Sequence, residues 1–174
     1  MSEARSRHPT DLLIRALVAR RRQATAAEVT RIVERMATAP FESRARRVPL
    51  PERGARYLGY ILGARSDSLT YHLVKRVALE EQWADGTTAA QYLEDLRRAI
   101  RSPSAQLVVF ARRGGCLAAT ITPLEDAVPV ERWGPQVQPL IMTVFSADRG
   151  IIISGYGISS LAEAHLPEDA QWLA

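Results

Sequence analysis

The spacing of apolar residues changes once along this 174-residue chain, near Pro103. Before Pro103, apolar residues recur every three to four positions, as on one face of an amphipathic helix. After it they stand in short runs rich in β-formers, a pattern that is typical of strands. Helices followed by strands predict an α+β fold, with N-terminal helices packed on one face of a four-stranded antiparallel meander.

Capping residues predict where the helices begin. Thr10 or Asp11 can cap the first helix, which ends in a run of arginines, and Thr25 with Glu28 forms a capping box for the second. Three more helices are predicted: over 53–64, from Ser66 or Asp67 to about Trp83, and after a capping box of Thr88 and Gln91.

Four strands follow in two hairpins. They are predicted at 105–111, 116–122, 140–146 and 151–156, with turns at Arg113–Gly115 and Ala147–Gly150. The stretch 123–139 between the hairpins holds four prolines. A connection of that length in a compact domain is either functional or loosely ordered.

Positive charge is concentrated in the N-terminal third. Residues 1–57 hold 13 arginines against six acidic residues, whereas residues 58–174 carry a net charge of −3. With prolines at 40, 49 and 51, this contrast predicts a basic helical appendage and linker over 1–50 and an α+β domain over 51–174. A basic segment favours an anionic partner, above all a nucleic acid, which would be held by Arg20, Arg21, Arg22, Arg44, Arg46 and Arg47. The alternative is a compositional bias, since only one of the 23 basic residues is lysine.

Several function classes lack support in the sequence. Cys116 is the only cysteine, which excludes a disulfide or a cysteine-based zinc site within one chain. We find no metal-hydrolase motif, no phosphate-binding glycine loop and no dinucleotide fingerprint, so no metal or cofactor is predicted. The chain has neither an apolar run of membrane length nor a secretory signal at Met1, and we expect a cytoplasmic protein without a membrane partner.

His72 is the strongest catalytic candidate. On a helix, Lys75 and Arg76 share its face, and two neighbouring cations disfavour the protonated imidazole, so that the ring can accept a proton. The alternative is a boundary residue of the core, with Arg76 paired to Glu80 one turn on.

The last hairpin supplies hydroxyl groups. A turn centred on Asp148 and Arg149 would place Thr143 opposite Ser154, with Tyr156 on the same face. Such hydroxyls can donate to phosphate oxygens. They can equally occupy the solvent face of an ordinary sheet.

The segments Tyr71–Arg76 and Ile151–Tyr156 resemble those of the bacterial ribonuclease toxin domains of the barnase–EndoU–colicin–RelE type, and in particular the ribonuclease A-like toxins. The resemblance covers about residues 66–157. It implies a metal-independent attack of the ribose 2′-OH on the adjacent phosphate. His72 would be the acid or base, Lys75 and Arg76 would stabilise the phosphorane, and Ser154 and Tyr156 would hold phosphate oxygens. A cognate antitoxin or immunity protein would be a partner.

The sequence thus predicts a toxin-like endoribonuclease with RNA as its partner. The catalytic candidates are His72, Lys75, Arg76, Thr143, Ser154 and Tyr156. The alternative is a non-catalytic nucleic-acid-binding or protein-interaction module of phage, plasmid or other accessory origin. Nothing in the sequence indicates the oligomeric state.

Overall fold

A computed structural model describes residues 6–47, with the side chain of Arg47 excepted, and residues 65–174. The helices are α1 (Pro9–Arg20), α2 (Ala26–Thr38), α3 (Ser68–Val74), α4 (Ala89–Arg101) and α5 (Leu124–Ala127). The strands are β1 (Arg46–Arg47), β2 (Arg65–Ser66), β3 (Gln106–Arg112), β4 (Gly115–Pro123), β5 (Leu140–Ser146), β6 (Ile151–Ile158) and β7 (Gln171–Trp172). The predicted helix over 53–64 lies outside the described residues.

The main sheet is antiparallel and has the order β6-β5-β4-β3-β7. Strands β3 to β6 form the predicted meander, and the two-residue strand β7 pairs with β3 as a fifth strand. The predicted four strands therefore become five, because the C-terminal segment returns to the edge of the sheet. A separate small ladder joins β1 to β2.

The helices pack on one face of this sheet, as predicted. Side chains of α1, α2 and α4 form one buried apolar cluster with alternate residues of the strands, among them Val109, Ile141 and Phe145. The opposite face carries a second cluster that includes Phe110 and Met142, and a C-terminal segment with Ala164 and Leu166 covers part of it. We call this second face the open face.

Local signals fix most helix ends. Both predicted capping boxes are present, at Thr25 with Glu28 and at Thr88 with Gln91, and the carboxylate of Asp67 caps α3. The start of α1 differs, because His8 accepts a hydrogen bond from the Thr10 backbone N–H and caps the helix.

One predicted helix is shorter than expected, and one predicted loop is more ordered. The helix after Asp67 does not reach Trp83: α3 continues as a π-helical turn over Lys75–Leu79 and stops before Glu81, which has φ +50°. The stretch 123–139 is not a structureless loop. It holds α5 and a 3₁₀ turn at Val130–Arg132, and an ion pair between the partly exposed Arg132 and the buried Asp95 ties it to α4.

The predicted division near residue 50 falls among residues outside the described part of the chain. Ile14, Leu17, Ile32 and Met36 of the first two helices are fully buried in the cluster shared with α4 and the sheet. Those helices therefore contribute directly to the main core. Within the described ranges, no helix has the length and apolar character needed to cross a bilayer.

Candidate functional site

A surface cleft of about 520 Å³ lies between α3 and the edge strand β6. Three groups of residues line it. His72, Lys75 and Arg76 come from α3 and its π-helical extension, Ser154 and Tyr156 come from β6, and the remaining residues include Glu80, Gln82, Glu163 and His165. Five of the six predicted catalytic residues therefore meet in one cleft.

The π-helical turn contributes two cations to this cleft. Lys75 and Arg76 are its first residues, and Glu80, which follows it, pairs with both: the Arg76 Nη1–Glu80 Oε2 distance is 2.5 Å and the Lys75 Nζ–Glu80 Oε1 distance is 3.6 Å. π-Helical turns inside helices are frequent at functional sites. Arg76 is buried, whereas the side chain of Lys75 keeps 39% of its exposure.

His72 is 7% exposed, and its imidazole lies between aromatic rings. The rings of Phe41 and Tyr71 contact it edge-on, with centroids 5.5 and 5.3 Å away. Both ring nitrogens are buried, and no described group forms a hydrogen bond with either of them. A buried polar atom without a partner costs about 1–3 kcal/mol. In native proteins such unpaired groups are explained by strain, by a catalytic role, or by a bound water or ion.

Burial is the main cause that lowers the pKa of His72, to about 3. The charges of Arg76, Arg46 and Lys75 lower it further, against the opposing charge of Glu42. The imidazole is therefore neutral at physiological pH, as the sequence predicts, although burial contributes more than the neighbouring cations.

Arg76 connects the helix to the edge of the sheet. Its Nε donates to the Gly155 carbonyl oxygen at 2.8 Å and its Nη2 donates to the Ser154 hydroxyl at 3.4 Å. The guanidinium also lies over the Tyr156 ring, 5.1 Å from the centroid. It is thus held rigidly beside both predicted hydroxyl groups, and it forms the ion pair with Glu80 at the same time.

Two glycines let the cleft wall pack closely. A Cβ on Gly155 would lie 2.3 Å from Cδ2 of Leu96 on α4, so any larger residue would force the buried Leu96 side chain to move. The Gly155 carbonyl oxygen also accepts a 2.6 Å hydrogen bond from the Tyr92 hydroxyl. At Gly157, the backbone N–H donates to the side-chain amide of Gln82 and the carbonyl accepts from it.

The predicted pairing of Thr143 with Ser154 is wrong. A β-bulge in the β5–β6 ladder makes Val144 the partner of Ser154 and Gly155 the partner of Thr143. One extra residue on β6 shifts the register by one position. Thr143 and Ser154, which the predicted pairing places on the same face of the sheet, therefore lie on opposite faces. Thr143 is fully buried on the helix side, while Ser154 and Tyr156 lie on the open face.

The hydroxyl of Tyr156 contacts the sulfur atom of Met142. It donates to Sδ of Met142 at 3.4 Å. Burial raises the pKa of this phenol, and the charges of Arg76 and Arg112 oppose the rise. The phenol therefore keeps its proton at physiological pH, and its hydrogen bond goes to a sulfur atom on the open face, outside the cleft.

The predicted nucleic-acid-binding arginines separate into two places. Arg21 pairs with Asp169 at 3.1 Å, and Gln171 of β7 contacts the Arg22 carbonyl, so the run Arg20, Arg21 and Arg22 lies near the sheet edge opposite to the cleft. Arg22 also forms a two-pronged ion pair with Glu28.

Arg46, by contrast, lies beside the cleft. Its guanidinium stacks over the Tyr71 ring, 5.3 Å from the centroid. Glu42 positions it: the buried carboxylate accepts from Arg46 at 3.2 Å and from Arg149 at 2.7 Å. Burial raises the pKa of Glu42, but the two arginines outweigh that effect and hold the pKa below its usual value. Arg44 is exposed on the same segment, and the side chain of Arg47 is outside the described part.

Sequence reasoning missed His165 and Gln82. His165 is exposed, has φ +47° and lies with Glu163 on the far wall of the cleft, although it is 93 positions from His72. No local motif marks it, because the C-terminal segment brings it there through tertiary packing. The described residues contain no group of three or more histidine, cysteine or acidic side chains arranged to hold a metal ion.

Comparisons with protein-family models, with curated proteins and with solved structures give no match for this chain.

Proposed function

We propose that this protein is a metal-independent endoribonuclease whose active site is the cleft between α3 and β6. The observation that carries the proposal is that one cleft brings the neutral imidazole of His72 together with two cations and two hydroxyl groups. RNA supplies its own nucleophile, so a protein needs only to move protons and to stabilise the charge of a phosphorane.

In this mechanism His72 accepts the proton of a ribose 2′-OH as the oxygen attacks the adjacent phosphorus. The bond from phosphorus to the 5′ oxygen breaks, which leaves a 2′,3′-cyclic phosphate and a 5′-hydroxyl. Arg76, Lys75 and the hydroxyl of Ser154 donate to the phosphoryl oxygens. Tyr156 is the candidate donor of the proton to the leaving oxygen, for which its hydroxyl has to leave Met142 and turn toward the cleft.

The charges in the cleft should make the pKa of His72 depend on whether RNA is bound. A phosphate beside Arg76 and Lys75 would offset the positive field that lowers the pKa of His72. Bound RNA would thereby make the imidazole a stronger base than it is in the free protein. Because both ring nitrogens are buried, proton transfer also requires the ring to rotate toward the cleft.

The test is cleavage of a fluorescently labelled RNA in the presence of EDTA. His72→Gln should lower the rate by about 10²-fold or more, the usual contribution of an acid–base group. His8→Asn is the matched control, because His8 caps α1 outside the cleft and asparagine is a good helix cap. Cleavage by His72→Gln at the rate of the control, with both variants folded by circular dichroism, would contradict the proposal.

Non-catalytic RNA binding is the second candidate, and the burial of both His72 nitrogens favours it. It predicts salt-dependent RNA binding without turnover. Deleting residues 1–50 cannot distinguish the two functions, because that segment supplies core residues. Charge-removing variants are better suited: Arg46→Gln should weaken RNA binding if the cleft holds RNA, and Arg21→Gln should weaken it if the opposite edge does.

A further inference from the structure

A second cavity opens on the open face, next to the cleft. It has a volume of about 390 Å³ and lies at the end of the sheet near the β3–β4 turn. Phe110, Met142 and Val144 form its floor, and the C-terminal residues that cover the rest of this face do not line it. We call this cavity the hollow.

Charged side chains stand at the rim of the hollow. Arg112 lines it from the end of β3 and Arg113 from the turn that follows, and the charge of Arg112 acts on the phenol of Tyr156. An apolar floor beneath cationic groups suits a ligand that is flat, apolar on its faces and linked to an anion. A nucleobase within a nucleotide has this chemistry, and arginine guanidinium groups also stack on bases.

The hollow and the cleft share a wall. Ser154 and Tyr156 line both cavities, and Arg76 lies over the Tyr156 ring from the cleft side. A nucleotide that places its phosphate beside Arg76 can therefore place its base beyond Tyr156, in the hollow.

We infer that the hollow is a nucleobase subsite for the nucleotide whose phosphate occupies the cleft. The inference rests on the proposed function for the identity of the ligand. It adds a direct contact between the protein and a base next to the scissile phosphate. This contact would determine which base the enzyme prefers at the cleavage position.

The experiment follows the methyl signals of Val144 and Ile153 by NMR in the wild-type protein. Adenosine and uridine 5′-monophosphates should shift these signals, whereas ribose 5-phosphate, which lacks a base, should leave them unchanged. Signals that do not move with either nucleotide at millimolar concentration, or that move equally with ribose 5-phosphate, would overturn the subsite.

Two variants test the cavity itself. Val144→Phe fills the hollow and should weaken nucleotide binding at least about tenfold, and its folding is checked by circular dichroism. Arg113→Asn removes the charge, and asparagine tolerates the φ of +50° at this position. It should weaken nucleotide binding by about two- to fivefold, which is the contribution expected of an exposed ion pair between Arg113 and the phosphate. Arg101→Gln on α4 is the control and should bind nucleotides as the wild type does; equal binding by all three variants would contradict the subsite.

The two proposals fail separately. RNA cleavage without any nucleotide effect on Val144 and Ile153 would remove the subsite and leave the ribonuclease. Nucleotide binding in the hollow without RNA cleavage would remove the ribonuclease and leave a nucleotide-binding site.

Discussion

The stability of the protein in acid should report the burial of His72. Its pKa is about 3 in the folded chain, against a usual value of 6.5. Between these two pH values the unfolded chain binds a proton that the folded chain does not. The free energy of unfolding therefore rises with pH across this window and falls as the solution is acidified.

The magnitude follows from the difference between the two pKa values. One pH unit within the window corresponds to about 1.4 kcal/mol, so His72 alone should lower the free energy of unfolding by about 3 kcal/mol between neutral pH and about pH 4.5. His72→Gln removes this contribution, and the difference in pH dependence between the variant and the wild type isolates it from the titration of other groups.

Urea denaturation followed by far-UV circular dichroism at the two pH values measures this effect. His165→Gln is the matched control: it removes a histidine from the opposite wall of the cleft and leaves His72 in place, so it should keep the steep acid dependence. If wild type and His72→Gln lose the same stability on acidification, within about 1 kcal/mol, the argument that the imidazole is desolvated and held neutral is refuted.

Three further perturbations have expected outcomes. Gly155→Ala should lower the free energy of unfolding by about 1–3 kcal/mol in urea denaturation, because its Cβ meets Leu96, and Leu96→Ala should relieve part of that loss in the double variant. Asp95→Ala should cost about 1–3 kcal/mol in the same assay, because it removes the buried carboxylate that accepts from both the Arg132 guanidinium and the Trp83 indole N–H; an unchanged stability would contradict this. Arg76→Met should raise the pKa of the cleft imidazole, measured by NMR titration, and lower RNA cleavage by about 10²-fold; an unchanged pKa would contradict the electrostatic reasoning.

Local sequence signals predicted most of the fold. The capping boxes at Thr25 and Thr88 depend on contacts three residues apart, and the strands depend on β-branched runs bounded by glycine turns. The two-residue strand β7 has no such signal. Its place at the sheet edge is set by the path of the C-terminal segment.

The candidate site was only partly predictable. The helical spacing of His72 and Arg76 was enough to predict that they share a face. The register of β6 was not, because no residue pattern marks the bulge, which lies opposite Val144 and Phe145. The proximity of Arg46 to the imidazole had no signal either, since Arg46 reaches α3 by pairing with Ser66, which is distant in the sequence.

The outer edge of β6 is occupied by several unrelated groups. Pro40 and Glu42 bond to the backbone of Ile152. Farther along, the side chains of Arg76, Tyr92 and Gln82 bond to the glycine backbone groups described above. A bare strand edge invites pairing with a strand of another chain. Because Arg76 and Gln82 also line the cleft, substitutions of these residues that widen the cleft should expose a template for aggregation, and altered activity and reduced solubility should then arise together.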